Sequence, residues 1–94
     1  MPEQEVEVHI SSVLAMMTGG RKDFKCSGTS VRDAFENLFS QEPSLRVHIM
    51  DENSAVRQHV LVYVGEEDLR WLGGLDSELN GPTTITVLQA VSGG

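Results

Sequence analysis

One stretch of this chain, SVRDAFENLF, spaces its apolar residues for a helix, and that scarcity constrains the fold more than any other feature. Val31, Ala34, Phe35, Leu38 and Phe39 recur at helical intervals and form one apolar stripe. Ser30 followed by Asp33 fits a capping box, and Thr29 is the other N-cap candidate. Pro43 lies where a helix cannot continue. A lone stripe has to be covered, and the sequence shows no second amphipathic stripe of that length to cover it. The covering layer must therefore come from strands.

The rest of the chain supplies them. EVEVHI alternates strictly, with Val6, Val8 and Ile10 on one face and Glu5, Glu7 and His9 on the other. This strand is expected to run on to about Leu14. Gly19–Gly20 then marks a hairpin tip, with a second strand near Lys22–Cys26. HVLVYV reads as a strand by composition, ending at Gly65. TTITVLQ reads as another, after the NGP turn at Asn80–Pro82. Between them, EEDLRWLGGL is a loop anchored by Leu69, Trp71, Leu72 and Leu75. Residues 44–57 fit either a local strand hairpin or a short irregular helix.

Hairpin, helix, strand, loop, strand is the order of an α+β roll of the β-grasp, ubiquitin-like type. It has a mixed four- to five-stranded sheet, with the one main helix packed across one face. The last strand is then expected beside the first, in the middle of the sheet. Residues 1–94 make a single domain, with a flexible exposed tail from about residue 90. A net charge of −7 is the wrong sign for sequence-blind nucleic-acid binding and suits basic protein partners. One cysteine precludes an internal disulfide and fits a reducing compartment. The start, MPEQEVEV, lacks the pattern of a signal peptide, and VLVYV is too short to span a bilayer. A soluble cytoplasmic protein, with no membrane and no nucleic-acid partner, is the expectation.

The chain closes on LQAVSGG. Without side chains, Gly93 and Gly94 leave a terminal carboxylate sterically open, able to enter a tunnel too narrow for a Cβ. A carboxylate is a poor acyl donor until its oxygen becomes a good leaving group. Adenylation by ATP achieves that. A sulfur nucleophile then gives a thiocarboxylate, and an amine gives an amide. Either way the tail is a substrate, and the catalysis belongs to a partner. The bland alternative is a frayed terminus without a function.

The run VLVYVGEEDLRWLGGLDSELNGPTTITVLQAVSGG resembles the MoaD/ThiS family of sulfur carriers, which includes the molybdopterin synthase small subunit and the thiamine-pathway carrier. The likeness covers most of the chain and is densest from Val60 to Gly94. It is nearest to the cysteine-synthesis (CysO-like) branch in length and in the EDLRW…GGL loop. Gly65 stands where the family usually has Asn, NGP replaces a DGD-like turn, and Gln89 replaces a frequent Pro.

The resemblance implies that Gly94 is adenylated and thiocarboxylated, and that Gly93 keeps the tail thin. The partner would be an E1-like adenylyltransferase (MoeB/ThiF-like), which would hold the ATP and magnesium, leaving no cofactor on this chain. The sulfur would pass to a synthase, such as a cysteine synthase or a molybdopterin synthase large subunit. Two rival roles are the small subunit of molybdopterin synthase and a ubiquitin-like modifier joined to lysines.

Alternation suggests a docking surface. If Val60, Val62 and Val64 meet the helix, Leu61 and Tyr63 face outward. Thr86, Leu88 and Ala90 then share that face, with Val91 beyond them near the tail root. Scattered surface apolars are the plainer reading. Cys26 has no CxxC mate and reads as a small buried or half-buried residue. His9, His48 and His59 lack metal-ligand spacing. Glu66, Glu67 and Asp68 read as a solvated acidic run able to meet a basic partner. Met16 and Met17 read as packing residues, and no intrinsic catalytic group is evident.

Overall fold

The computed structural model describes residues 3–89. Its strands are β1 (Gln4–Ile10), β2 (Asp23–Gly28), β3 (Val60–Val64), β4 (Glu67–Asp68) and β5 (Thr83–Gln89). Its helices are α1 (Ser12–Ala15), α2 (Val31–Gln41) and α3 (Arg46–Ile49), joined by short 3-10 turns. The sheet order is β2-β1-β5-β3-β4. β1 and β5 run parallel at its centre, and the other pairs are antiparallel. This is the β-grasp roll that the element order implied, with five strands and one long helix.

The stripe of α2 fills the concave side of the sheet. Val31, Ala34, Phe35, Leu38 and Phe39 are all buried. They meet Val6, Val8, Phe24, Cys26, Val62, Ile85 and Val87 in one continuous core. Each large apolar side chain so buried stabilises the fold by about 1.5–3 kcal/mol. Val64 lies at the margin, only partly buried against that core.

The start of α2 uses both residues that the sequence offered as caps. The Ser30 hydroxyl accepts from the Asp33 amide at 3.2 Å. Asp33 in turn accepts from the Thr29 hydroxyl and amide. The remaining first-turn amides go to the loop before β5. Val31 N–H donates to the Ser77 carbonyl and Arg32 N–H to that of Leu75, while Arg32 also pairs with Asp76 at 3.0 Å. That loop is sealed by Leu69, Leu75 and Leu79. Gly28 sits directly under the helix. A Cβ there would lie 2.6 Å from Asp33 Cβ and 2.8 Å from the Ala34 nitrogen, so the close approach excludes any side chain.

Three expectations are corrected. The first strand stops at Ile10 rather than near Leu14, because Ser11 turns the chain as an N-cap, its hydroxyl accepting from the Leu14 amide. The link to β2 is thus a helical turn, closed by Gly19 and Gly20 at positive φ, and β2 itself begins at Asp23. Met16 and Met17 do not pack; they are 75% and 43% exposed. Trp71 is no anchor, at 84% exposed. Asp68 caps a 3-10 turn over Leu69–Trp71, and three residues per turn bring Leu69 and Leu72 to one side and send Trp71 outward. Residues 43–49 take the helical option, followed by an isolated bridge between Met50 and Val56.

Two substitutions test this packing. Phe35→Ala is expected to cost about 3–5 kcal/mol through the cavity it leaves. Gly28→Ala, although it adds a single methyl group, is expected to cost about 1–3 kcal/mol through overpacking against α2. Urea denaturation of each variant measures both.

Candidate functional site

The convex face of the sheet is the one α2 leaves open, and alternation decides what it carries. On β3 and β5 the pairs Leu61↔Leu88 and Tyr63↔Thr86 stand directly opposite each other. Side chains so paired lie in contact range. Leu88 is 39% exposed, and Leu61, Tyr63 and Thr86 are half-buried. The structure therefore brings together the four described residues of the expected docking patch. Ala90, Val91, Gly93 and Gly94 lie outside the described residues. Gln89, the last described residue, pairs with Val60 and lies on a central strand, one residue past Leu88.

The other half of this face is charged. Thr86 pairs with His9 across β1, and His9 pairs with Asp23 across β2. His9 Nδ1 contacts the Asp23 carboxylate, and its Nε2 lies 3.5 Å from Glu7. Glu5, Glu7 and Lys25 continue the polar side. The patch thus has an apolar half over β3 and β5 and an acidic half over β1 and β2.

The acidic run after β3 is not uniform. Glu66 and Glu67 face solvent, while the Asp68 side chain is largely covered. Arg70 holds Asp68 with Nε at 3.1 Å and Nη2 at 2.8 Å. These hydrogen bonds hold the Asp68 carboxyl below the usual carboxylate range. Asp68 is therefore occupied in shaping the turn, leaving two glutamates free to meet a partner.

Cys26 is buried on β2, 6% exposed. Burial pushes its thiol up to about 11, against a weaker opposing effect of the Gln41 side chain. A thiol held protonated in this way is a poor nucleophile. Among the described residues no three His, Cys, Asp or Glu side chains gather as a metal site. No described helix is long and apolar enough to cross a membrane.

Sequence reasoning missed one feature of this end of the molecule. Val13, Met16, Met17 and Val47 are exposed apolar residues near the point where β5 finishes. The signal was present as an absence of acid: residues 11–22 and 43–49 contain no Asp or Glu.

The state of Cys26 gives a pH prediction. The folded protein keeps the thiol proton up to about 11, whereas the unfolded chain releases it near the ordinary value of 9.0. Stability from this source is complete below that ordinary value and is lost as pH rises through the folded one. Cys26→Ala is expected to flatten that alkaline slope, measured by urea denaturation across the same pH range. Iodoacetamide should label the native thiol far more slowly than the urea-unfolded one at neutral pH.

Comparison with known proteins places these features. The ThiS family model matches residues 8–94. The sulfur carrier protein CysO of Mycobacterium tuberculosis is 33% identical over 91 residues, covering 95% of this chain and 98% of that protein. Among solved structures, a chain of the Amycolatopsis orientalis BexX/CysO complex superposes with a TM-score of 0.85 at 32% identity, over 95% of this chain and 99% of its own. Small archaeal modifier protein 1 of Methanosarcina acetivorans gives a TM-score of 0.83 at 27% identity, over the whole of both chains. By a match that runs from β1 through the closing glycines, and by a relative similar along nearly its full length, this chain belongs to the ThiS family and is a sulfur carrier of ubiquitin-like fold.

Proposed function

We propose that the Gly94 carboxylate is the working group of this carrier. The observation that carries the reading is the family match, which extends through Gly93 and Gly94, beside a β5 that lies at the centre of the sheet. An E1-like adenylyltransferase binds ATP and magnesium. The Gly94 carboxylate oxygen attacks the α-phosphorus, and pyrophosphate leaves. A sulfide equivalent then attacks the acyl carbon, AMP leaves, and a thiocarboxylate remains. That sulfur attacks an electrophilic acceptor carbon in a synthase, the leaving group of that carbon departs with its bonding electrons, and hydrolysis of the resulting thioester restores the Gly94 carboxylate and frees the sulfur as the acceptor's thiol. The similarity to CysO favours a cysteine-forming acceptor. The cytoplasm, where thiols stay reduced, suits this chemistry.

Within this scheme the chain itself performs three tasks. Its core fixes a rigid body. Leu61, Tyr63, Thr86 and Leu88 offer an apolar face to the adenylyltransferase. Gly93 and Gly94 pass through a channel that a side chain would block. A second reading is favoured by the similarity to small archaeal modifier protein 1: a modifier whose activated glycine is taken by a lysine amine.

Incubation with a cognate adenylyltransferase, ATP and sulfide is expected to replace one oxygen of the intact protein by sulfur, read by mass spectrometry. An unchanged mass would defeat the sulfur-transfer reading. Lysine-linked adducts recovered from cells, without any thiocarboxylate, would select the modifier instead. Gly94→Val should abolish activation and leave the melting temperature unaltered. Leu88→Asp should raise KM for the adenylyltransferase about tenfold at constant kcat, the loss expected for one good interface anchor.

A further inference from the structure

Three segments surround the place where β5 ends. β1 and β5 are parallel, so residues 11–22, which follow β1, lie at the same end as Gln89; Ser11 N–H donates to the Val87 carbonyl at 3.0 Å. Residues 43–49 join them there, the Ser44 hydroxyl donating to the Met17 carbonyl at 3.1 Å. Residues 57–60 complete the ring, because Val60 pairs with Gln89 and Arg57 Nε donates to the Val47 carbonyl at 2.8 Å.

The composition of this pole is unlike the rest of the molecule. None of the chain's 14 acidic residues falls in the three segments, while four of its 7 cations do: Arg21, Lys22, Arg46 and Arg57. Arg46 is committed to Glu36. Among the described residues no carboxylate pairs with Arg21, Lys22 or Arg57. Here too are Val13 at 47% exposed, Met16 at 75%, Met17 at 43% and Val47 at 62%, with Leu88 beside them. Of the large apolar side chains strongly exposed among the described residues, only Trp71 lies elsewhere. Contiguous exposed apolar surface marks interaction sites, and methionine adapts well to a partner's contour.

The length of the following segment identifies what must sit here. Residues 90–94 reach at most about 18 Å from Gln89, whatever their conformation. An enzyme that draws Gly94 to a bound nucleotide therefore has to bring the mouth of its channel onto this pole. We propose that the pole, centred on Met16, Met17, Val47 and Arg57, is the seat for the channel mouth of the adenylating enzyme. That mouth is apolar and carries carboxylates facing Arg21, Lys22 and Arg57. The inference rests on Gly94 being the activated residue, and it adds a second contact surface to the sheet face.

The test is pyrophosphate release by a ThiF/MoeB-class enzyme from the same organism, with the full chain titrated as substrate. Met16→Glu/Met17→Glu and, separately, Arg57→Glu are expected to raise KM about tenfold or more with kcat unchanged. Met16→Lys/Met17→Lys should lose less than the glutamate pair, and Met16→Leu/Met17→Leu should match the wild type. Circular dichroism and thermal melts confirm that each variant is folded. KM values for both glutamate variants equal to wild type would overturn the proposal while leaving the activation of Gly94 intact. A lysine pair as damaging as the glutamate pair would overturn the acidic mouth. Failure of the wild-type chain to release pyrophosphate would overturn the function of the tail and this surface together.

Discussion

The burial of one helical stripe against one sheet face is the interaction on which the rest of the molecule depends. In a chain of 94 residues there is no second core to compensate for its loss. Phe35 and Leu38 are fully enclosed, and Phe39 stacks on Phe35 with ring centroids 5.9 Å apart. The amides at the helix start are then satisfied by Ser30 and by carbonyls of the loop before β5. That arrangement ties α2 to a segment more than forty residues later. It also fixes where β5 begins, and hence where it ends. The placement of Gln89, the last described residue, thus follows from packing far from it.

Much of this was legible because single physical rules governed it. The stripe of α2 and the alternation of β1, β3 and β5 leave little freedom once one face must be buried. The convex face followed from the same alternation: if Val62 and Val87 are inside, Tyr63 and Leu88 are outside. The misreadings came where two rules competed. Alternation invited a strand through Ser11, yet its hydroxyl accepts from the Leu14 amide while its own N–H still bonds to the Val87 carbonyl, so the chain turns into a helix there. The apolar character of Trp71 points inward, yet the short turn capped by Asp68 has only one inward side, and the leucines occupy it. Residues 44–57 carry weak signals of both kinds; the part up to Ile49 is helical, with Ser44 bonded to Met17 in the turn after α1, and Met50 and Val56 form an isolated bridge.

The site was legible in chemistry more than in shape. Glycines after a strand suit the proposed role of a thin acyl donor, but nothing local announces what surrounds the end of β5. That surrounding is assembled from three stretches far apart in sequence, each unremarkable alone. Their shared lack of acidic residues becomes meaningful only once the parallel pairing of β1 with β5 gathers them at one end. Cys26 illustrates the converse. Its isolation in sequence suggested an inert residue, and burial gives the physical cause by keeping the thiol protonated.

The central place of β5 has a consequence for biosynthesis. β2 with β1 forms one strand pair and β3 with β4 another, and β5 alone joins the two. Until residues 83–89 have cleared the ribosome, these halves share no edge and the helix lacks a complete floor. A chain without β5 is consequently left with two separate strand pairs, open edges and an uncovered helical stripe, features that favour aggregation. Completion of the body therefore waits on one strand: α2 gains a closed floor only when β5 has joined the two halves.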